Sequence, residues 1–258
     1  MRAYKNGWII ITGGGSGLGQ ALTWDIVGRG GRVIVAGRRQ EALEETRARA
    51  PEAILTVAAD VATPQGRDAV VQAAQERGPL YGVVHNAAVL DPVGPLAEIA
   101  PEDWRYQQAV NVEGPLFLTQ ALLPHMMHGG RILHISSGAA HRCLTGWGGY
   151  CSSKAALHML YLCLREELAP RGVYVGSVRP GVVDTPMQTR IRATDASRFP
   201  GVERFRRLKA EGQLESSERV ADFISWVLLD TGDRQFSEAE WDIGNESQTR
   251  LWRDTRAL

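Results

Sequence analysis

Tyr150 and Lys154 stand four residues apart at the start of an apolar helical stretch covering about 150–169. Residues at that spacing share one helix face, so phenol and ammonium project side by side. A phenol holds its proton to a pKa of about 10 in water. A neighbouring ammonium favours the phenolate and makes the proton easier to give up, which would turn the pair into a general acid–base centre. The spacing is equally met where a half-buried aromatic lies beside a solvated lysine, so the rest of the chain must show what such a centre would serve. Ser137 lies thirteen residues upstream, at the carboxyl end of an apolar run at 131–135. It is a second hydroxyl at the level where ligands sit in open α/β sheets. Asn111 precedes Pro115 by four residues within a helical pattern. Proline has no N–H to give the Asn111 carbonyl, which predicts a kink and a freed carbonyl able to hold a water.

These side chains need elements to position them. Residues 8–11 read as a buried strand, followed by Thr12-Gly13-Gly14-Gly15-Ser16-Gly17-Leu18-Gly19 and then an apolar helical pattern. Strand, glycine turn and helix form the context in which free N–H groups and a helix dipole meet a pyrophosphate. The second strand, 32–36, ends at Gly37-Arg38-Arg39. No carboxylate is there to bond a ribose 2′-hydroxyl, whereas the Arg38 guanidinium suits a 2′-phosphate. NADP(H) is therefore expected over NAD(H). A third strand, 53–58, leads to Asp60-Val61, with Asp60 placed either at an adenine edge or in a turn. Thr63 followed by Pro64 marks a helix start. Strands at 81–85, 131–135 and 173–178 follow, the first leading into Asn86-Ala87-Ala88. Repeated strand–helix–strand units imply one parallel sheet with right-handed crossovers.

The 258 residues suffice for one large α/β domain with a sizeable core, and 44% hydrophobic with 22% charged residues is ordinary for a globular protein. Basic and acidic residues balance at 29 each, which favours neither nucleic acid nor an anionic membrane. No apolar run reaches membrane-span length. Cys143, Cys151 and Cys163 have no metal-ligand spacing, and an odd number argues against a disulfide framework. A reduced, cytoplasmic, metal-free protein is the expectation. No repeat, linker or second-domain boundary interrupts 1–258.

Together, Thr12-Gly13-x-x-x-Gly17-x-Gly19, Asp60-Val61, Asn86-Ala87-Ala88, Asn111, Ser137, Tyr150-x-x-x-Lys154 and Pro180-Gly181…Thr185 resemble the short-chain dehydrogenase/reductase family in order and spacing. His85 and Ala88 depart from its more usual asparagine and glycine. The segment from Pro180 through Met187 and Gln188, with Phe205-Arg-Arg-Leu-Lys further on, looks like the sepiapterin reductase and benzil reductase branch. The resemblance implies a single doubly wound Rossmann-type domain of about seven parallel strands with helices on both faces. It implies NADPH-dependent reduction of a ketone or dicarbonyl, with Tyr150 as proton donor, Ser137 as its partner on the substrate oxygen, Lys154 lowering the tyrosine pKa and holding the ribose, and Asn111 in a water relay. Cofactor contacts would come from Gly13, Ser16, Gly17, Leu18, Gly19, Arg38, Asp60, Val61, Asn86, Tyr150, Lys154, Pro180, Gly181, Val183 and Thr185.

Three expectations complete the reading. Trp147 and Met187 are candidate substrate contacts. The irregular stretch 186–215, with a basic excess at Arg190, Arg192, Arg198, Arg204, Arg206, Arg207 and Lys209, is either a substrate lid favouring an anionic ligand or a solvated helical surface. Apolar residues around more than one face of 150–169 suggest a homodimer or homotetramer. Oxidation of a secondary alcohol by the same site is the alternative activity, and a non-catalytic dinucleotide sensor or scaffold the alternative class.

Overall fold

The computed structural model describes residues 3–256. Seven strands form one sheet among these residues: β1 (Trp8–Thr12), β2 (Arg32–Gly37), β3 (Ile54–Ala58), β4 (Leu80–His85), β5 (Met126–Ile135), β6 (Val173–Arg179) and β7 (Trp241–Asp242). Their order is β3-β2-β1-β4-β5-β6-β7, and every pairing is parallel. The helices are α1 (Gly17–Gly28), α2 (Gln40–Ala48), α3 (Pro64–Arg77), α4 (Pro101–Gln108), α5 (Gly114–Leu122), α6 (Gly148–Leu168), α7 (Pro186–Arg192), α8 (Val202–Ala210), α9 (Ser217–Asp230), α10 (Asp233–Glu238) and α11 (Glu246–Arg256). This is the expected doubly wound α/β domain.

The central strand shows why both faces are covered. All of Trp-Ile-Ile-Ile-Thr in β1 is buried, as parallel strands require. Side chains alternate across the sheet: Ile9 and Ile11 join a core with Leu22 and Ile26 of α1 and Phe223 and Val227 of α9. Ile10 joins Val70 of α3, Leu118 of α5 and Tyr161 and Leu164 of α6 on the other side. The chain reverses winding between β1 and β4, so a crevice opens at the carboxyl ends of those strands.

The Thr63 reading holds: its hydroxyl accepts a bond from the Gly66 N–H at 3.0 Å, and Pro64 opens α3. One other reading needs correction. Pro115 does not make a plain kink; a π-turn at Ala109–Glu113 joins α4 to α5, an arrangement that widens the helix where an N–H is missing. The 186–215 stretch contains α7 and α8, in keeping with its helical-surface alternative. Glu246–Arg256, for which the sequence reading names no element, form helix α11, with Trp252 buried against Phe223 at 5.4 Å between ring centres. Its start carried a signal, since the Asn245 carboxamide oxygen accepts from the Ser247 and Gln248 N–H groups.

Candidate active site

A cleft of about 790 Å³ lies across the strand ends. Its floor at one end is the glycine turn. Gly17 has φ +53°, a conformation that disfavours a side chain, and a Cβ at Gly19 would meet the Gly13 carbonyl oxygen at 2.3 Å. Asn86 closes this turn from below, donating to the Thr12 and Gly13 carbonyls at 2.9 and 3.1 Å. Ser16 precedes α1 without capping it through its side chain. The first-turn N–H groups therefore have no side-chain cap from Ser16, and the helix faces the cleft through Ser16, Gly17, Leu18 and Gly19. A pyrophosphate fits this cradle in shape and in charge.

The wall beyond the glycine turn holds Arg38, Arg39, Asp60 and Val61. Asp60 accepts the Ala62 N–H at 3.0 Å, the turn arrangement, with its other oxygen accepting from the Tyr106 hydroxyl at 3.2 Å. Tyr106 in turn accepts from Arg38 at 2.5 Å, so a half-exposed phenol bridges arginine and aspartate across the mouth. Arg39 donates to the Ser16 hydroxyl at 3.4 Å. Sequence reading missed Tyr106 and Arg39 as parts of this wall. Tyr106 has no local signal, since α4 is brought there by tertiary packing alone, whereas Arg39 was visible beside Arg38.

At the other end Ser137, Tyr150 and Lys154 converge. Tyr150 sits in the first turn of α6, which begins at Gly148 rather than at the tyrosine. Lys154 donates to the Ile135 carbonyl at 2.9 Å, pinning the end of β5. Its Nζ lies 5.8 Å from the Tyr150 ring centre. Burial pushes the phenol up to about 12, against a hydrogen bond with Ser137 that pulls it down. Burial also brings Lys154 down to about 8. The expectation that the ammonium lowers the tyrosine pKa therefore does not hold in this structure: loss of water outweighs it, and the lysine faces the ring and a carbonyl. The consequence is a phenol that keeps its proton at neutral pH.

Asn111 is buried in the π-turn, and its side chain is fully engaged. It accepts from the Val89 N–H, and donates to the Val89 carbonyl and to Ser153 Oγ, all at 2.9–3.0 Å. The α4–α5 junction is thereby tied both to the exit of β4 and to α6. Pro180, Gly181, Val183 and Thr185 line the cleft beyond β6, with Thr185 in contact range of a Cβ placed on Gly17.

The wall past Tyr150 is aromatic. Trp147 stacks on Phe199 at 4.7 Å and 14°, and packs edge-on against Tyr150 at 5.7 Å and beside Phe205 at 5.3 Å. Trp147 and Met187 both line the cleft, as do Leu90, Leu144, Ile191 and Phe205. The basic excess of this segment is largely met by acids. Arg190 pairs with Asp91, Arg198 with Glu98, Arg192 and Lys209 with Asp184, and Arg206 with Glu203. Asp91, Glu98 and Asp184 lie outside 186–215, which is why composition within the segment pointed to an anionic ligand.

Comparison with known proteins places this geometry. The short chain dehydrogenase family model matches residues 7–196. An uncharacterized oxidoreductase of Schizosaccharomyces pombe is 32% identical over 239 residues, 90% of this chain and 95% of the relative. A benzil reductase of Bacillus cereus, forming (S)-benzoin, is 28% identical over 232 residues, 86% of this chain and 93% of its own. The crystal structure of a short chain dehydrogenase/reductase from Saccharomyces cerevisiae superposes with a TM-score of 0.87 at 26% identity, covering 95% of this chain and 98% of that one. The chain belongs to the short-chain dehydrogenase family. It is accordingly an oxidoreductase acting on CH–OH or C=O groups, with a fold that binds a nicotinamide dinucleotide.

Proposed function

From membership of this family we propose that the protein is an NADPH-dependent carbonyl reductase acting on ketones or 1,2-dicarbonyls with apolar, aromatic substituents. The observation that carries it is the buried, protonated Tyr150 beside Ser137, at the foot of a wall built from Trp147, Phe205 and Leu144. The relative that reduces benzil supports the substrate class. Arg38 and Arg39, at a strand end that carries no carboxylate, support NADPH.

The cofactor supplies a hydride to the carbonyl carbon. Ser16, Gly17, Leu18 and Gly19 would hold its pyrophosphate, Arg38 its 2′-phosphate, Asp60 and Val61 its adenine end, and Lys154, Val183 and Thr185 its nicotinamide end. Ser137 and Tyr150 donate hydrogen bonds to the substrate oxygen, where charge grows in the transition state, and Tyr150 delivers its proton there. With its pKa raised to about 12, Tyr150 stands at neutral pH in the protonated form that carbonyl reduction requires. Lys154 keeps a positive charge beneath the ring. Helices α7 and α8 act as the substrate lid, and the exposed Met159 face of α6 serves contact between subunits. Steady-state turnover of a 1,2-diketone panel with NADPH and NADH tests the reading. Wild-type enzyme should prefer NADPH, and Arg38→Ala should raise the KM for NADPH about tenfold or more while leaving that for NADH nearly unchanged. A wild-type preference for NADH, or oxidation of secondary alcohols with no diketone reduction, would defeat it.

A further inference from the structure

Three side chains remote in sequence meet beside the cleft. His141 stands on the loop between Ser137 and Tyr150, His158 lies two turns beyond Tyr150 on α6, and Glu240 immediately precedes β7. His141 Nε2 is 2.7 Å from Glu240 Oε2, and His158 Nδ1 is 3.3 Å from Glu240 Oε1. The imidazole rings meet edge to face at 4.6 Å, and all three ligand atoms lie within 4.8 Å of one another. We propose that His141, His158 and Glu240 form a binding site for one divalent transition metal ion, zinc in particular. Two imidazoles and a carboxylate are a donor set zinc accepts, at bond lengths of about 2.0–2.2 Å, which set tetrahedral ligand atoms roughly 3.3 Å apart. The two His–Glu spacings, 2.7 and 3.3 Å, lie near that value, and the widest pair of ligand atoms, within 4.8 Å, closes to it by side-chain rotation of up to about 1.5 Å. A hard ion such as magnesium is disfavoured by the imidazoles.

The surroundings suit occupancy. The Ser177 hydroxyl donates at 2.9 Å to Glu240 Oε1, the oxygen that also faces His158, which fixes the carboxylate's direction and leaves Oε2 toward His141. Arg179 also approaches Glu240 at 3.3 Å, but it has a shorter partner in Asp242 at 2.7 Å and can leave the glutamate to a metal. His141 is partly exposed and lines the cleft, so the ion has an entry path and an open position. Bound there, zinc would clamp the loop that carries the catalytic serine to α6 and to the chain entering β7. The test is calorimetric titration of EDTA-treated full-length protein with zinc chloride and, separately, magnesium chloride, with the melting temperature read alongside. Wild type and Cys143→Ser should each take up one equivalent of zinc, ignore magnesium, and melt a few degrees higher at saturating zinc. His158→Gln and the more exposed His141→Asn should each bind at least tenfold more weakly while melting, without metal, close to wild type. Wild type that binds no zinc saturably would overturn the proposal. So would full affinity retained in either histidine variant, or binding lost in Cys143→Ser.

Discussion

Tyr150 and Lys154 show how burial, rather than pairing, sets the acid at this site. An exposed lysine would stay charged to about pH 10.4; here burial brings it to about 8. Its charge is therefore complete below that pH and lost above it, whereas Tyr150, at about 12, remains a phenol throughout. Carbonyl reduction measured as kcat/KM should be level from pH 6.5 to about 7.5 and fall above pH 8, approaching tenfold per unit. The break reports Lys154, since no tyrosine titration falls in that window. A profile flat to pH 10 would show that the ammonium is not required. The Tyr-x-x-x-Lys spacing predicted the neighbours but not this balance, because burial depends on the aromatic wall and the end of β5, both distant in sequence.

At the scale of elements, the π-turn around Asn111 is anchored by that residue's side chain. Its side chain fastens the α4–α5 junction to Val89 and Ser153. Asn111→Ala would remove these partners from the part-buried Val89 N–H and carbonyl, each toward the lower end of the about 1–3 kcal/mol that an unsatisfied buried group costs. Chemical denaturation should show a loss of roughly 1–3 kcal/mol with an unchanged m-value. Stability equal to wild type would confine Asn111 to a water relay. The strands, the glycine turn and the Thr63 cap were legible because each rests on local patterns: apolar runs, positive-φ glycine, a hydroxyl three residues before its N–H partner. Pro115 marked an irregularity but not that it would be a π-turn, and the Tyr106 bridge was not legible at all, because it joins Arg38, Asp60 and Tyr106 from segments tens of residues apart. The acids Asp91 and Glu98, which pair with Arg190 and Arg198, lie about a hundred residues before them.

Over the whole molecule, the seven-stranded sheet buries two histidines against the helices that cover it. His85 and His134 meet edge to face at 5.2 Å, and His85 bonds Thr119 at 2.8 Å. Burial depresses both, His134 to about 4 and His85 well below its ordinary value. Unfolded, each takes up a proton near pH 6.5; folded, they resist until far lower. Between those values the unfolded state binds more protons, so stability is intact above pH 6.5 and is lost as pH falls toward 4. His134 alone should cost about 2 kcal/mol between pH 7.5 and 5. Denaturation midpoints at the two pH values should converge in His134→Leu relative to wild type; an equal drop in both proteins would place the acid sensitivity elsewhere. No helix among the described residues is long and apolar enough to cross a membrane.

The two-sided fold brings the glycine cradle, the arginine pair and the Tyr150 centre to one crevice, and its central claim is that Tyr150 gives the proton in carbonyl reduction. Tyr150→Phe keeps the ring and its packing on Trp147 while removing that proton. The most direct measurement is NADPH consumption with a 1,2-diketone by this variant, paired with a fluorescence titration of NADPH binding. The account predicts turnover lowered by about a thousandfold or more, in the upper part of the ~10²–10⁴ that a general acid contributes, with NADPH affinity within a few-fold of wild type. Turnover within tenfold of wild type, with NADPH still bound, would contradict it.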